Sequence, residues 1–210
     1  MARTVGPLMS LDASGSVAGT IVFSKWKGRN YVRQLVTPAN PNTALQVSTR
    51  AMMRFLSQQW TPELTTPNKA TWDDDAAEMA VSPFNAFIKT NLRRWTQFTS
   101  PTKQTPVTAT GTVPTFTTLP TATGGVGQVT ITWDLNALLQ GWGMLIFRDP
   151  VTGFTPARDN LVGVALLKTL TSDTFIDTPV DVGTWFYNFR SFTNDGVLSS
   201  ALGEKSATVT

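Results

Sequence analysis

The spacing of apolar residues changes character once along the chain. Up to residue 98 it reads as a strand pair followed by helices, and beyond that it alternates. Thr20 to Trp26 and Tyr31 to Val36 are rich in β-branched and aromatic residues, with the turn-like Lys27-Gly28-Arg29-Asn30 between them, so a hairpin is expected. Pro38, Pro41 and the Asn-Pro-Asn-Thr run stop it. Asn42 or Thr43 then caps a helix from Ala44 to Trp60, where Leu45, Met52, Leu56 and Trp60 form a stripe. A second, short helix is expected from Thr66-Pro67, carrying Trp72 and Asp73-Asp74-Asp75. A third begins at Ser82-Pro83 and lines Phe84, Phe87, Ile88, Leu92 and Trp95 along one face.

Helical periodicity then ends. Residues 99–112 hold Thr, Pro, Ser, Lys and Gln with almost nothing bulky, and read as a linker. Seven short strands are expected after it, near Val113–Leu119, Val126–Asp134, Gly143–Arg148, Leu161–Leu170, Thr174–Asp177, Thr184–Thr193 and Lys205–Thr210. Turns separate them at Gly124-Gly125, Asp149-Pro150, Thr152-Gly153 and Asn194-Asp195-Gly196, which is the pattern of a β-sandwich. The expected fold is therefore an α+β N-terminal module (a β-hairpin plus about three helices) over residues 1–98, then an all-β Ig-like sandwich over 113–210. Residues 1–20 are small and Gly/Ser-rich, and read as a loop or an arm ordered by a partner. On this division residues 106–210 are removable with any docking function of the first module left intact.

Composition narrows the chemistry. Of the 210 residues 41% are hydrophobic and 15% charged, and there is no cysteine and no histidine. Disulfides, zinc-thiolate sites, cysteine nucleophiles, imidazole ligands and the Ser-His-Asp triad are excluded. No run approaches the ~18 apolar residues of a membrane span, and Met1 to Leu8 shows no apolar signal-peptide core. Charge is unevenly placed. Residues 1–105 carry 12 Lys/Arg against 6 Asp/Glu, a net +6, and residues 106–210 carry 5 against 8, a net −3. The basic half therefore suits an acidic protein surface or nucleic acid, although +6 without a long basic face speaks against nucleic acid.

Several clusters invite a site. Asp73-Asp74-Asp75 with Glu78 has no calcium-loop spacing, and consecutive residues on a helix diverge, so a solvated face is expected. Asp134, Asp149 and Asp177 could supply paired carboxylates, but all fall at strand ends or turns where Asp is locally favoured. No phosphate loop, dinucleotide fingerprint or nucleophile elbow occurs. The expectation is a protein that is not an enzyme, with no catalytic residues, metal or cofactor. The densest basic–aromatic cluster is Lys25, Trp26, Lys27, Arg29 and Arg33, with Tyr31 among them. It suits docking on an acidic partner, the alternative being that Trp26 packs inward. Trp142, between Gly141 and Gly143, has no evident support and is expected to be exposed, to contact a sugar or a neighbouring subunit.

Two resemblances add to this reading. Val129-Thr130-Ile131-Thr132-Trp133, Met144-Leu145-Ile146-Phe147-Arg148, Phe175-Ile176-Asp177-Thr178 with Gly183, the alternation Trp185, Tyr187, Phe189, Ser191, and Gly196 with Ser199 resemble the strands of a fibronectin type III domain, over about residues 112–210. Trp185 holds the position of that family's corner tyrosine. Gly19, Phe23, Trp26-Lys27-Gly28, Val32-Arg33, Pro38, Asn40-Pro41, Thr43, Gln46, Arg50, Trp60 and Ala70-Thr71-Trp72 resemble a family of tailed-phage virion-associated structural proteins, over about residues 15–98. This second resemblance implies a place in the virion, assembled in the host cytoplasm. Its partners would be the major capsid protein or neighbouring structural subunits, with a homo-oligomer expected. An accessory or decoration protein of the head is the first reading. A tail, neck or fibre component, or an adhesin binding host surface or glycan through the C-terminal domain, is the alternative.

Overall fold

The computed structural model describes residues 15–17, 19–27, 29–36, 42–137, 141–168, 170 and 173–210. The chain divides into two compact units, 1–41 and 42–210. The expected arm at 1–20 falls mostly outside the described residues.

In the first unit, β1 (Gly15–Val17), β2 (Ile21–Trp26) and β3 (Arg29–Gln34) form an antiparallel sheet in the order β1-β2-β3. The hairpin is tighter than expected: Trp26 pairs directly with Arg29, and Lys27 takes a positive φ of 47°. That is the conformation required by a two-residue turn whose twist matches the strands.

The second unit opens with helices α1 (Ala44–Gln59), α2 (Thr66–Ala70), α3 (Asp73–Met79) and α4 (Pro83–Thr96). Local signals set two of their starts, while Thr43 at the start of α1 makes no side-chain cap bond. Thr65 and Ser82 cap α2 and α4 by accepting from Asn68 N and Asn85 N, each with a proline in the first turn. The single helix expected through Trp72 is two. Thr71 and Trp72 tighten into a turn that buries the indole completely and lets its Nε1 donate to the Lys103 carbonyl at 3.0 Å. Asp73, Asp74 and Asp75 occupy the first turn of α3, where carboxylates oppose the helix dipole favourably.

All seven expected strands form: β4 (Thr115–Gly124), β5 (Val129–Ala137), β6 (Gly141–Asp149), β7 (Leu161–Leu166), β8 (Asp173–Asp177), β9 (Gly183–Thr193) and β10 (Lys205–Val209). They make a β-sandwich of two antiparallel sheets, β4-β5-β8 and β10-β9-β6-β7. Val129, Ile131, Trp133 and Leu135 of the first sheet meet Met144, Ile146, Tyr187 and Phe189 of the second in one core.

The outer face of the four-stranded sheet is not solvated. Met52, Phe55, Leu56, Phe87 and Trp95 from the helices and Trp72 from the turn between α2 and α3 join Trp142, Leu145, Phe147, Leu161 and Phe192 from the sheet in a second core. The domain division expected from the sequence is therefore corrected. The helices do not form a module with the hairpin; they share a unit with the sandwich. Nor is the first part of the expected linker, residues 100–104, a free connector. Ser100 and Thr102 are fully buried. Asn91 donates to the Thr102 carbonyl and accepts from its N–H, while Lys103 N donates to Asn194 O and Ser100 Oγ to Gly196 O. Gln104 Nε2 reaches Asp195 at 3.1 Å. The polar segment is a seam between α4 and the β9–β10 turn. Burial is tolerable there because distant groups satisfy its short side chains and backbone.

Candidate functional site

The hairpin holds all five residues of the basic–aromatic cluster, but the strand pairing separates them. Opposed residues share a face in an antiparallel sheet. Trp26 lies opposite Arg29, Ser24 opposite Tyr31 and Val22 opposite Arg33, so Trp26, Arg29, Tyr31 and Arg33 line one face. Lys25 lies opposite Asn30 on the other face, with Phe23 and Val32. Lys27 sits in the turn and places its Nζ 4.8 Å from the Trp26 ring centroid. Trp26 is 65% exposed, so the inward-packing alternative does not hold for it. Phe23 is buried instead, and all six residues of β3 are exposed. Trp26, Arg29, Asn30 and Tyr31 border an open hollow of about 600 Å³. No Asp or Glu lies between residues 15 and 36. Chemically, such a face can lay aromatic rings and guanidinium groups against carboxylate or phosphate groups.

Trp142 is corrected outright. It is 0% exposed and lies between the helices and the sheet, with ring centroids 5.3 Å from Phe55, 5.7 Å from Phe192 and 6.5 Å from Phe87. Lys103 Nζ stands 5.4 Å from its centroid. Burial lowers the Lys103 pKa, and Glu63 at 3.8 Å partly opposes the shift. The flanking glycines do not leave the indole unsupported. The β6–β9 pairing steps from Gly141↔Thr193 to Gly143↔Phe192, so Trp142 is the extra residue of a bulge. A Cβ on Gly143 would stand 2.5 Å from the Phe192 ring, so glycine lets that ring close over the strand. The sequence held a signal for this. Trp142 to Phe147 are six consecutive buried residues, and an unbroken apolar run marks a strand covered on both faces.

Two of the scattered carboxylates, Asp149 and Asp177, are locally engaged. Asp149 accepts from Val151 N and Asn160 Nδ2. Asp177 Oδ2 accepts from Arg148 Nη1 at 2.7 Å and Tyr187 Oη at 2.9 Å, inside the sandwich edge. Burial and the Asp177 charge hold the Tyr187 phenol neutral well above its ordinary range. The Arg148 guanidinium in turn stacks 4.8 Å from the Trp185 centroid. This is a structural tie between β6, β8 and β9. Asp177→Ala is expected to destabilise the protein by about 3–5 kcal/mol, because it strands a half-buried guanidinium. Denaturant unfolding checks this, and a loss below about 1 kcal/mol, the level of a surface pair, would count against it. Among the described residues no group of three or more His, Cys, Asp or Glu is placed to hold a metal ion. No helix among them is long and apolar enough to cross a membrane.

No family model matches the chain, and no curated protein does. Solved structures resemble parts of it. A β-1,2-glucanase from Parabacteroides distasonis aligns over 48% of this chain and 13% of its own, with 18% identity and a TM-score of 0.38. An Fn3-like protein from Clostridium thermocellum aligns over 47% of this chain and 96% of its own, with 20% identity and a TM-score of 0.35. A lytic polysaccharide monooxygenase from Jonesia denitrificans aligns over 43% and 58%, with 19% identity and a TM-score of 0.33. This chain thus spans about 13% of the glucanase.

Proposed function

We propose that the protein is a non-enzymatic structural component of a tailed-phage virion. The reading favoured is an accessory or decoration protein of the head, held to the particle by the hairpin unit with the sandwich projecting. The observation that carries the docking role is the Trp26, Arg29, Tyr31, Arg33 face: exposed aromatic and cationic side chains on a sheet of three short strands with no Asp or Glu within residues 15–36. The virion assignment rests on the sequence resemblance of residues 15–98. The sandwich is read as fibronectin type III. Its division into three and four strands agrees with that reading, as does Trp185, whose indole N–H donates to the Asp181 carbonyl at 2.8 Å where the family uses a tyrosine hydroxyl. The adhesin alternative loses its candidate residue, since Trp142 is buried.

The test is co-sedimentation with particles lacking the protein. Trp26→Ala/Arg29→Glu/Arg33→Glu is expected to weaken incorporation by about tenfold or more, with an unchanged thermal melt. Lys25→Glu, on the opposite face, is expected to change it little. Full incorporation of the triple variant would remove the hairpin as the docking element.

A further inference from the structure

β3 is an edge strand, with β2 on one side and no strand on the other among the described residues. The direction of its backbone groups follows from one bond: Leu35 N donates to Thr20 O, toward β2. Strand alternation then turns the N–H and C=O groups of Arg29, Tyr31 and Arg33 toward β2 as well. It turns those of Asn30, Val32 and Gln34 outward along the free edge. Natural edges are blunted by a proline, a bulge, a covering element or charged side chains, and the charges of β3, Arg29 and Arg33, repel a basic or self-identical strand but not an acidic one. Here the pairing runs in register from Ile21↔Gln34 to Trp26↔Arg29, and β3 contains no proline. A three-stranded unit whose described core is Phe23 buries little apolar surface, and added strands stabilise such a sheet.

We propose, resting on the docking role given to the hairpin, that β3 is a template for strand addition by an extended acidic segment of a partner virion protein. A strand laid along the edge places its own side chains opposite Arg29, Tyr31 and Arg33 on one face. Charge complementarity selects an acid, an apolar or aromatic residue and an acid at alternate positions. Outward main-chain bonds supply affinity, and the two guanidinium groups set register. Antiparallel self-pairing of a second copy centred on Tyr31 sets Arg29 against Arg33, and the concentration dependence below tests the other registers.

The test uses the full chain with two short extended peptides, one centred on Glu-Thr-Ile-Thr-Glu and one on Lys-Thr-Ile-Thr-Lys. The acidic peptide is expected to slow hydrogen exchange at Asn30, Val32 and Gln34 by about tenfold or more, and the basic one to leave it unchanged. Val32→Pro removes an outward N–H and leaves Trp26, Arg29, Tyr31 and Arg33 in place. It is expected to abolish both the peptide effect and incorporation into particles. Persisting protection of Tyr31, Arg33 and Leu35 N–H in that variant shows that the hairpin still forms, and Val32→Thr is expected to behave as the parent. No protection up to millimolar acidic peptide, or equal protection by both peptides, overturns the proposal. Protection that appears without peptide and grows with protein concentration overturns it in favour of a second copy. If Val32→Pro incorporates normally while the Trp26/Arg29/Arg33 variant does not, strand addition fails and the docking role stands. If both incorporate normally, the docking role fails as well.

Discussion

Trp142→Ala is expected to cost the folded state about 3–5 kcal/mol, the range for removing a large buried aromatic side chain. The indole is wholly enclosed, packs on Phe55, Phe87 and Phe192, and is the bulged residue that joins the helices to β6. Its neighbours cannot collapse into the vacated space. Phe55 and Phe87 are fixed on helices, and Phe192 is held on β9 beneath Gly143. For a chain of this size each kcal/mol shifts Tm by about 2–4 °C, so a fall on the order of 10 °C is expected in a thermal scan. Trp142→Phe keeps an aromatic ring in place and is expected to lose less than half as much. A Trp142→Ala protein melting within a degree or two of the parent would return this residue to the surface, as the sequence suggested. Because the indole is buried, tryptophan fluorescence from Trp142 is also not expected to respond to added glycan.

Severing the chain at the 99–112 segment is expected to have the larger effect: neither half should fold alone. A fragment ending before residue 113 keeps Met52, Phe55, Leu56, Phe87 and Trp95 but loses the sheet face that they bury against. Isolated helices of this length are marginal in water without such packing. A fragment of 113–210 keeps the inner sandwich core but exposes Trp142, Leu145, Phe147 and Phe192 on one face. Such aromatic side chains bury about 150–250 Å² each, so the bared patch exceeds what soluble monomers normally present. It also loses the partners of Asn194, Asp195 and Gly196 in the seam. The expected results are no cooperative melt for the first fragment and aggregation of the second on gel filtration. A monomeric 113–210 fragment with a cooperative melt would restore the boundary at the segment. The consequence for function is direct. Deleting residues 106–210 is expected to unfold the helices too, so loss of incorporation in that truncation would say nothing about the sandwich as a binding module. Point variants on the hairpin face are the informative ones.

Local patterns determined most of the secondary structure. The period-two runs located all seven strands of the second half, and the Thr65 and Ser82 caps with their following prolines located two helix starts, because each depends on groups a few residues apart. The same locality explains what was missed. Leu45 fits the apolar stripe of α1 yet is 45% exposed, while Ser48 and Gln59 are buried on it. Which positions a helix covers is set by the surface that it meets, not by its own period. Ser100 and Thr102 look identical in sequence whether solvated or enclosed, and only the arrival of Asn91 and the β9–β10 turn makes their burial tolerable. Trp142 looked unsupported because its supports, Phe55, Phe87 and Phe192, come from three distant elements. At the hairpin the sequence determined the chemistry, a basic–aromatic cluster, but strand register decided that Trp26, Arg29 and Arg33 share one face while Lys25 lies on the other. Residue type sets what a side chain can do, and long-range packing sets which side chains do it together.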